Sequence, residues 1–372
     1  MLRSLELLLK RTLLGVLRVL FRSSAPADPF AQNPRSILVI RQHNQLGDML
    51  CVVPLLRALR EKYPDASISL MTSPVNDAVM RKNRSLADTI LYDKSDFLRN
   101  GLIRPLSLLK FVQNLRRRKF DMTLVPATVS TSFTSDFLAR LSGSPVRIGA
   151  LSLDGTASPS SFFFNVPVAL DWRGDPHRHQ TLRNMDLVAS GGIRTRDLSL
   201  EITLTSDEER EGEAIAARAK GSSKILVGIH PGAGKLPNRW PAENFAAIAN
   251  MLAAQAGAAI LVTSGPMDEE PLAQLIPTLS ASPEILRNRP IRTVAAVLKK
   301  LDLYITNDTG LMHVAAGTGV PVLSLFGPTD PHQWAPTAAN CCYLVGDNGV
   351  IGNITVDSVR LKAIAMLTRG RR

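Results

Sequence analysis

Four residues near the C-terminus combine an acid, a hydroxyl, a glycine and an imidazole at a spacing that suits the binding of an anion. Asp308, Thr309, Gly310 and His313 follow a short apolar run and open a helical pattern. At the N-terminus of a helix, free backbone N–H groups and the positive end of the helix dipole favour an anion such as a diphosphate. A purely structural interpretation also fits. Asp308 would cap the helix, Gly310 would avoid a steric clash with neighbouring atoms, and His313 would be a hydrogen-bonded histidine of the core.

A second candidate set lies in mid-chain, in the glycine-rich segment HPGAGKLPNRW, which follows the apolar run 225–229. Lys235 and Arg239 supply positive charge there. Preorganised Lys, Arg and backbone N–H donors stabilise negative charge that builds on a diphosphate. The alternative is that both cations are merely solvated, which their place at the carboxyl end of a predicted strand disfavours.

The third candidate set lies in the segment RQHNQLGDML, where a β-rich run ends at Arg41. Asp48 could act as a general base that removes a proton from an attacking hydroxyl. From the residues alone, it could equally cap a helix that begins at Met49. His43 is a candidate second base, and it could equally contact a bound acceptor.

Each of these sets lies where a predicted strand passes into a helix, the point at which open parallel sheets bind ligands. Two β/α series are predicted, with strands near residues 36–41, 66–72, 88–92 and 121–126 and near 225–229, 258–263, 301–306 and 320–326. Pro241 is predicted to start the helix after the glycine-rich loop. Between the two series, the segment 191–220 is predicted to be the hinge region.

Three motifs together resemble glycosyltransferase family 9, the heptosyltransferases of lipopolysaccharide core assembly. They are LGDML near the N-terminus, HPGAG followed by NRWPAENFA at mid-chain, and TNDTGLMHVAAGTGVPVLSLFGPTDP near the end. The similarity spans roughly residues 36–367. It implies an α/β fold of the GT-B type, two Rossmann-like domains with parallel sheets facing a central cleft, and a C-terminal helix that returns to the first domain.

The resemblance also implies a reaction and its residues. The reaction is metal-independent inverting transfer of a sugar, a heptose from ADP-heptose, onto a lipid-linked glycan acceptor of the lipopolysaccharide core type, with Asp48 as the base. His43 and Asn44 would bind the acceptor. The residues implied to bind the nucleotide sugar are Gly232, Ala233, Lys235, Arg239, Gly265, Asp308, Thr309, Gly310 and His313. Another nucleotide sugar and a different surface glycan remain an alternative within the same family.

One position departs from the family pattern. The family usually carries a lysine just before the Arg-Trp or His-Trp element, and here Asn238 stands there. Either Lys235 compensates or Arg239 acts alone. The same departure keeps open a catalytically silent member that binds nucleotide or glycan without transferring anything.

Composition agrees with a folded two-domain protein that needs no metal or other cofactor. The chain has 372 residues, of which 45% are hydrophobic and 20% charged. Cys51, Cys341 and Cys342 are too few for a disulfide framework and spaced wrongly for zinc, so a cytoplasmic location is expected. His177 and His179 lack nearby partner ligands, and the sequence contains no Asp-X-Asp triplet that would hold a divalent cation on a diphosphate.

The net charge of +12 calls for an acidic partner. Nucleic acid is disfavoured because no binding motif is present and only 5% of residues are aromatic. Residues 1–22 contain five Lys or Arg and one Glu, with basic and apolar residues on opposite faces of a helix. This pattern predicts a basic amphipathic helix on the surface of an anionic membrane. The enzyme would then be peripheral on the inner face of the cytoplasmic membrane.

Residues 1–22 have three other interpretations: a membrane-spanning helix, a signal peptide and a helix that packs on the protein's own surface. Charges interrupt the apolar run too early for a membrane-spanning helix, and Arg18 splits the apolar core that a signal peptide needs. Packing of the helix on the protein's own surface stays open. The predicted organisation is an amphipathic helix at 1–22, a linker at 23–34, an acceptor-binding domain at 35–200, a nucleotide-sugar-binding domain at 201–354, and a C-terminal helix with a basic tail at 355–372.

Overall fold

The computed structural model describes residue 15 and residues 28–30, 33–99 and 102–369. Apart from residue 15, the predicted amphipathic helix at 1–22 lies outside the described residues, as do most of the linker 23–34 and the end of the basic tail. Within the described part, the chain forms two compact units. The N-terminal unit comprises the described residues up to 44, 54–77 and 84–196, and the C-terminal unit comprises 45–53, 78–83 and 197–369.

The N-terminal unit is built on a sheet whose strand order is β3-β2-β1-β6-β7-β8, with β9 pairing beside β7. Its pairings are parallel except for the short β7–β8 pair and a separate β4–β5 hairpin. The strands are β1 (Ser36–Arg41), β2 (Ser67–Thr72), β3 (Asp88–Leu91), β4 (Leu98–Arg99), β5 (Leu102–Ile103), β6 (Met122–Val125), β7 (Val146–Leu153), β8 (Thr156–Ala157) and β9 (Val166–Leu170). β1 reads SILVIR and is buried almost throughout, as the central strand of a parallel sheet must be.

The C-terminal unit is built on a second sheet, with the order β12-β11-β10-β13-β14-β15 and every pairing parallel. The strands are β10 (Ile225–His230), β11 (Ala258–Ser264), β12 (Glu284–Arg287), β13 (Leu303–Asn307), β14 (Val322–Phe326) and β15 (Cys341–Val345). The order reverses between β10 and β13. This is the kind of switch point at which parallel sheets bind ligands beyond the carboxyl ends of their strands.

The α-helices cover the sheets and are numbered along the chain. They are α1 (Leu46–Leu50), α2 (Val53–Lys62), α3 (Pro74–Met80), α4 (Lys94–Phe97), α5 (Pro105–Arg117), α6 (Phe133–Leu141), α7 (Gln180–Asp186), α8 (Ser206–Lys220), α9 (Ala242–Ala256), α10 (Glu269–Leu275), α11 (Ile291–Leu298), α12 (Gly310–Thr318), α13 (Pro331–Trp334) and α14 (Val356–Arg369). None of the helices in the described part combines the length and the apolar character needed to span a bilayer.

All eight predicted strands are present, and the first and last residue of each lie within two residues of the predicted positions. The predicted α/β class with two Rossmann-like units is therefore confirmed. The charged helix of the predicted hinge region forms as α8, where Thr205 and Glu208 make a capping box.

Two expectations about helices are wrong. Pro241 lies at the N-cap of α9, one position before the helix begins. The C-terminal helix α14 buries Val359, Ala363 and Leu367 in the core of the C-terminal unit, where it packs against α9, so it does not return to the first domain. Apolar side chains on one helix face must be covered, and the nearest apolar surface is that of its own unit.

Candidate active site

A cavity of about 470 Å³ opens in the C-terminal unit, at the carboxyl ends of β10, β11 and β13. Short loops and the first turn of α12 surround it. The lining residues are Leu46, His230, Ala233, Gly234, Thr263, Ser264, Gly265, Pro266, Met267, Asp268, Asn288, Arg289, Ile291, Val294, Thr309, Gly310 and Leu311. Its size suits a small molecule such as a nucleotide.

Asp268 ties together two of the loops around this cavity. Its Oδ2 accepts the backbone N–H of Gly265 at 2.6 Å, and its side chain is almost completely buried. The carboxylate also lies against Gly232, since a Cβ added there would be 2.0 Å from Oδ1. Residue 232 must therefore be a glycine if Asp268 is to keep this position.

His230 ends β10 beneath the same loops. Its Nδ1 lies 3.0 Å from the carbonyl oxygen of Thr263, and its Nε2 lies 3.7 Å from Oδ2 of Asp268. Burial lowers the pKa of His230, while the Asp268 carboxylate and the Thr263 carbonyl oppose that effect. The imidazole forms part of the cavity wall.

Asn307, the last residue of β13, fixes the glycine-rich loop that follows β10. Its Nδ2 donates to the carbonyl oxygens of Pro231 and Gly232, both at 3.0 Å, and its Oδ1 accepts the backbone N–H of Trp240 at 3.1 Å. The Trp240 indole is fully buried. Both ends of the loop are thereby held by one buried amide.

The helix α12 points its N-terminus at the cavity. Thr309, not Asp308, lies at its N-cap, and the Thr309 hydroxyl makes no cap bond. This oxygen is buried and lacks a hydrogen-bond partner among the residues that the structure describes. The interpretation of Asp308 as the helix cap is therefore wrong, and an unsatisfied hydroxyl faces the site in its place.

Asn238, which stands where the family has a lysine, is buried and bridges two loops. Its Nδ2 donates to Oδ2 of Asp308 and to Oγ1 of Thr329, both at 3.0 Å. Burial raises the pKa of Asp308 above its ordinary value, while the Thr329 hydroxyl and the positive charge of Lys235 oppose the rise. At this position, the amide of Asn238 holds the loops and carries no charge.

The two candidate cations differ in their surroundings. The Arg239 guanidinium donates from Nη1 to Oε2 of Glu270 at 3.0 Å and from Nη2 to the carbonyl oxygen of Ala233 at 3.2 Å. Lys235 is exposed at the start of the short 3-10 helix Leu236–Asn238, and its charge acts on Asp308.

The candidate base and the acceptor candidates belong to different units. Asp48 lies in the first turn of α1, in the C-terminal unit, and is half-buried. Gln45 is the N-cap of that helix, so the alternative in which Asp48 caps a helix at Met49 is wrong. His43 and Asn44 belong to the N-terminal unit, where the carbonyl oxygen of His43 accepts bonds from Ser73 and Asn76.

Sequence reasoning missed the side chains that hold the loops. Asp268 contacts Gly232, 36 positions earlier in the chain, and Asn307 contacts Pro231, 76 positions earlier. The available signal was weak: His230 and Asn307 are polar residues at the ends of otherwise apolar strands. In the described ranges, no group of His, Cys, Asp and Glu could hold a metal ion.

The comparisons with known proteins decide the family. The sequence profile of glycosyltransferase family 9 (heptosyltransferase) matches residues 108–350, well over half of the chain. The chain belongs to glycosyltransferase family 9. Membership confirms the resemblance identified in the sequence and makes this family 9 protein a glycosyltransferase.

Individual relatives agree with the assignment. Lipopolysaccharide heptosyltransferase 3 of Escherichia coli (strain K12) is 24% identical over 316 residues, which cover 79% of this chain and 83% of that protein. A glycosyl transferase family 9 structure from Veillonella parvula gives a TM-score of 0.78 at 22% identity, covering 90% of this chain and 97% of that one.

A third relative was solved with nucleotide. The E. coli heptosyltransferase WaaC with ADP gives a TM-score of 0.70 at 18% identity, covering 89% of this chain and 99% of that one, and the same protein was also solved with ADP-2-deoxy-2-fluoro heptose. These likenesses confirm the GT-B fold of the family 9 chain.

Proposed function

We propose that this family 9 protein transfers a heptose from ADP-heptose onto a lipopolysaccharide core-type acceptor, with inversion at the anomeric carbon. The observation that carries the proposal is the cavity of the C-terminal unit. Glycine-containing loops and the N-terminus of α12 line it, and the exposed Lys235 directly follows Gly234 of that lining. That combination suits a nucleoside diphosphate.

In this proposal, the diphosphate lies between the N-terminus of α12 and the loop that contains Gly232 and Ala233. The helix offers free backbone N–H groups and the partial positive charge of its dipole. The buried Thr309 hydroxyl can donate a hydrogen bond to a phosphate oxygen, which would satisfy it. Gly265 lies on the nucleoside side of the cavity, while Asp308 and His313 complete the nucleotide site.

Lys235 is the better candidate for the cation that the family lysine supplies elsewhere. Arg239 already donates to Glu270 and to the backbone of its own loop. Lys235 is exposed and close enough to lower the pKa of Asp308. An ammonium on a flexible stem can reach a phosphate as a point charge, so it needs no fixed orientation. Arg239 then shapes the loop and adds positive potential.

The chemistry is a single displacement. Asp48 removes the proton from the attacking acceptor hydroxyl, whose oxygen forms a bond to the anomeric carbon of the donor. The bond between that carbon and the diphosphate oxygen breaks, and ADP leaves with the electron pair. Lys235 and the N–H groups of α12 stabilise the charge that develops on the leaving group. The step needs no metal and no cofactor.

The acceptor side of the proposal rests on the N-terminal unit. His43 is half-buried and Asn44 is exposed at the carboxyl end of β1, so both can contact an acceptor sugar. The acceptor is lipid-linked, and residues 1–22 would hold the enzyme on the anionic inner face of the cytoplasmic membrane. The net charge of +12 supports that partner.

The test is a transfer assay with purified full-length protein, ADP-heptose and lipopolysaccharide core acceptors that lack heptose. Mass spectrometry should detect a product heavier by one heptose. Replacing the base by Asp48→Ala should reduce turnover by about 10²- to 10⁴-fold, with ADP affinity unchanged. Full turnover by Asp48→Ala would remove Asp48 as the base. ADP binding without transfer by the wild type would favour a silent member of the family.

A further inference from the structure

Two glycine contacts join α1, the helix that carries Asp48, to α12 of the nucleotide site. A Cβ added to Gly47 would lie 2.8 Å from Cδ2 and 3.0 Å from Nε2 of His313. A Cβ added to Gly310 would lie 3.0 Å from Cβ of Leu46. The 2.8 Å approach at Gly47 is closer than real Cβ atoms come to other atoms, and the 3.0 Å approach at Gly310 is tighter than most real Cβ contacts, so each helix presents a glycine where the other presents a side chain.

The spacing of these contacts aligns the two helices. Gly310 and His313 are three residues apart and therefore share one face of α12. They meet Leu46 and Gly47, which are consecutive on α1. The ring of Trp334 also contacts His313 edge-on, with the ring centroids 6.2 Å apart. The imidazole is almost fully buried, so it has little room to move away from Gly47.

The position of α1 in the chain makes this arrangement unexpected. The segment 45–53 follows β1 of the N-terminal unit, yet its contacts group it with the C-terminal unit. Met49, Leu50, Cys51 and Val52 are all fully buried. These buried side chains anchor the segment in addition to the two glycine contacts.

We propose that Gly47 and Gly310 are positioning residues that lock the catalytic base Asp48 to the nucleotide site. In this arrangement, Asp48 is a fixed part of the donor-binding unit. Packing between α1 and α12 sets the position of Asp48 relative to the nucleotide site. The inference rests on the proposed function, because that function gives Asp48 its role.

The direct perturbation is Gly47→Ala. The added methyl group must displace either His313 or α1, and α1, a single short turn of helix, is the element that can yield. A displacement of about 1 Å in a catalytic group can cost about 100-fold in rate. We expect the turnover number of Gly47→Ala to fall by roughly that factor, with ADP affinity within about threefold of the wild type.

The matched control is Gly352→Ala. A Cβ at Gly352 meets no atom within 4 Å, and its backbone φ is not positive. The residue is exposed and lies outside the proposed site. Turnover, ADP affinity and thermal stability of this variant should equal those of the wild type. It reports any cost of a Gly→Ala change that is unrelated to the lock.

Hydrogen exchange tests the lock without using activity. Amides of residues 48–53 should exchange faster in Gly47→Ala than in the wild type, while those of β10 should be unchanged. The double variant Gly47→Ala with His313→Ala removes the ring that the methyl group meets, so it should restore protection to the level of His313→Ala alone. Unchanged protection of residues 48–53 in Gly47→Ala would overturn the lock.

The two readouts separate failure of this inference from failure of the proposed function. Faster exchange together with full turnover in Gly47→Ala would overturn the positioning role. Equal losses of turnover and of ADP affinity would also overturn it, since they indicate general damage to the site. A wild type that transfers no heptose contradicts the proposed function, and hydrogen exchange still decides whether α1 and α12 are locked.

Discussion

The loops at the carboxyl ends of the two sheets are built differently. In the C-terminal unit, side chains such as Asp268 and Asn307 hold the loops from behind, and the lining is rich in small residues such as Ala233, Gly265 and Gly310. In the N-terminal unit, Ser73 and Asn76 hold the backbone carbonyl of His43. There the polar side chains of His43 and Asn44 are themselves partly or wholly exposed.

In the proposed function the C-terminal unit binds the donor and the N-terminal unit binds the acceptor, so the difference separates a site built from backbone groups from one built from exposed side chains. A site made of backbone and helix dipole recognises a diphosphate whatever sugar it carries. A site made of exposed side chains changes its specificity with each substitution.

Among tests of this comparison, the largest effect should come from overpacking the loops that surround the donor site. Gly232→Ala places a methyl group 2.0 Å from a carboxylate oxygen of the buried Asp268. Overpacking of this kind costs about 1–3 kcal/mol, so ADP affinity should fall by up to about 100-fold. Calorimetric titration with ADP measures the loss, and circular dichroism checks that the variant folds.

Gly352→Ala is the matched control, since its added Cβ meets no atom within 4 Å and the residue lies outside the proposed site. ADP affinity of this variant should be that of the wild type. If folded Gly232→Ala bound ADP as tightly as Gly352→Ala does, the packing of Asp268 against Gly232 would have no part in donor binding.

A smaller effect should follow from removing the exposed cation. Lys235→Ala should reduce kcat/KM for the donor by about 10- to 100-fold, because it removes a charged partner of the leaving diphosphate. Arg239→Ala should cost less, since its guanidinium is already engaged with Glu270 and Ala233. Steady-state kinetics with varied ADP-heptose measures both.

Lys224→Ala serves as the control for loss of one positive charge. Lys224 is exposed and directly precedes β10, at the strand end opposite the site. Its removal should leave kcat/KM unchanged. A larger loss from Arg239→Ala than from Lys235→Ala would assign the role of the missing family lysine to Arg239.

The smallest effect concerns stability of the N-terminal unit. Burial raises the pKa of Asp136 to about 7, and the Ser160 hydroxyl, which donates to it at 2.5 Å, opposes the rise. The folded protein therefore keeps a proton that the unfolded chain releases near pH 4. Stability from this group is present below about pH 4 and is lost as the pH rises to about 7.

Asp136→Asn should remove that dependence. Its Tm should exceed that of the wild type by a few degrees at pH 8, and the gain should shrink towards pH 4. Differential scanning calorimetry at both pH values measures the gain. ADP affinity should not change, because Asp136 lies in the N-terminal unit. An equal shift in Tm at both pH values would mean that the Asp136 proton has no part in stability.

The sequence was a good guide to the strands and a poor guide to contacts between loops. Apolar runs such as 36–41 and 225–229 predicted central strands because burial on both faces leaves a clear pattern. The interpretations in which Asp48 and Asp308 cap helices are wrong, since a helix can begin a few residues from where its first polar residue suggests. The grouping of residues 45–53 with the C-terminal unit depends on packing, which local pattern does not encode.

The candidate site shows the same division. Lys235 and Thr309 were predicted from residue type and position, because charge and helix termini have known preferences. The amide of Asn238 was recognised only as a missing lysine, and the structure shows the bonds that it makes to Asp308 and Thr329. Those bonds join residues up to 91 positions apart, so neighbouring sequence could not predict them.

The central claim is that the cavity of the C-terminal unit binds an ADP-sugar. In this account the protein's own groups, without a metal ion, neutralise the charge of the diphosphate. Calorimetric titration of the full-length protein with ADP, UDP, GDP and CDP, each with a divalent metal ion and with a chelator, tests it most directly. We predict selective binding of ADP with the same affinity under both conditions. Preference for another nucleotide, dependence on the metal ion or absence of binding would contradict the account.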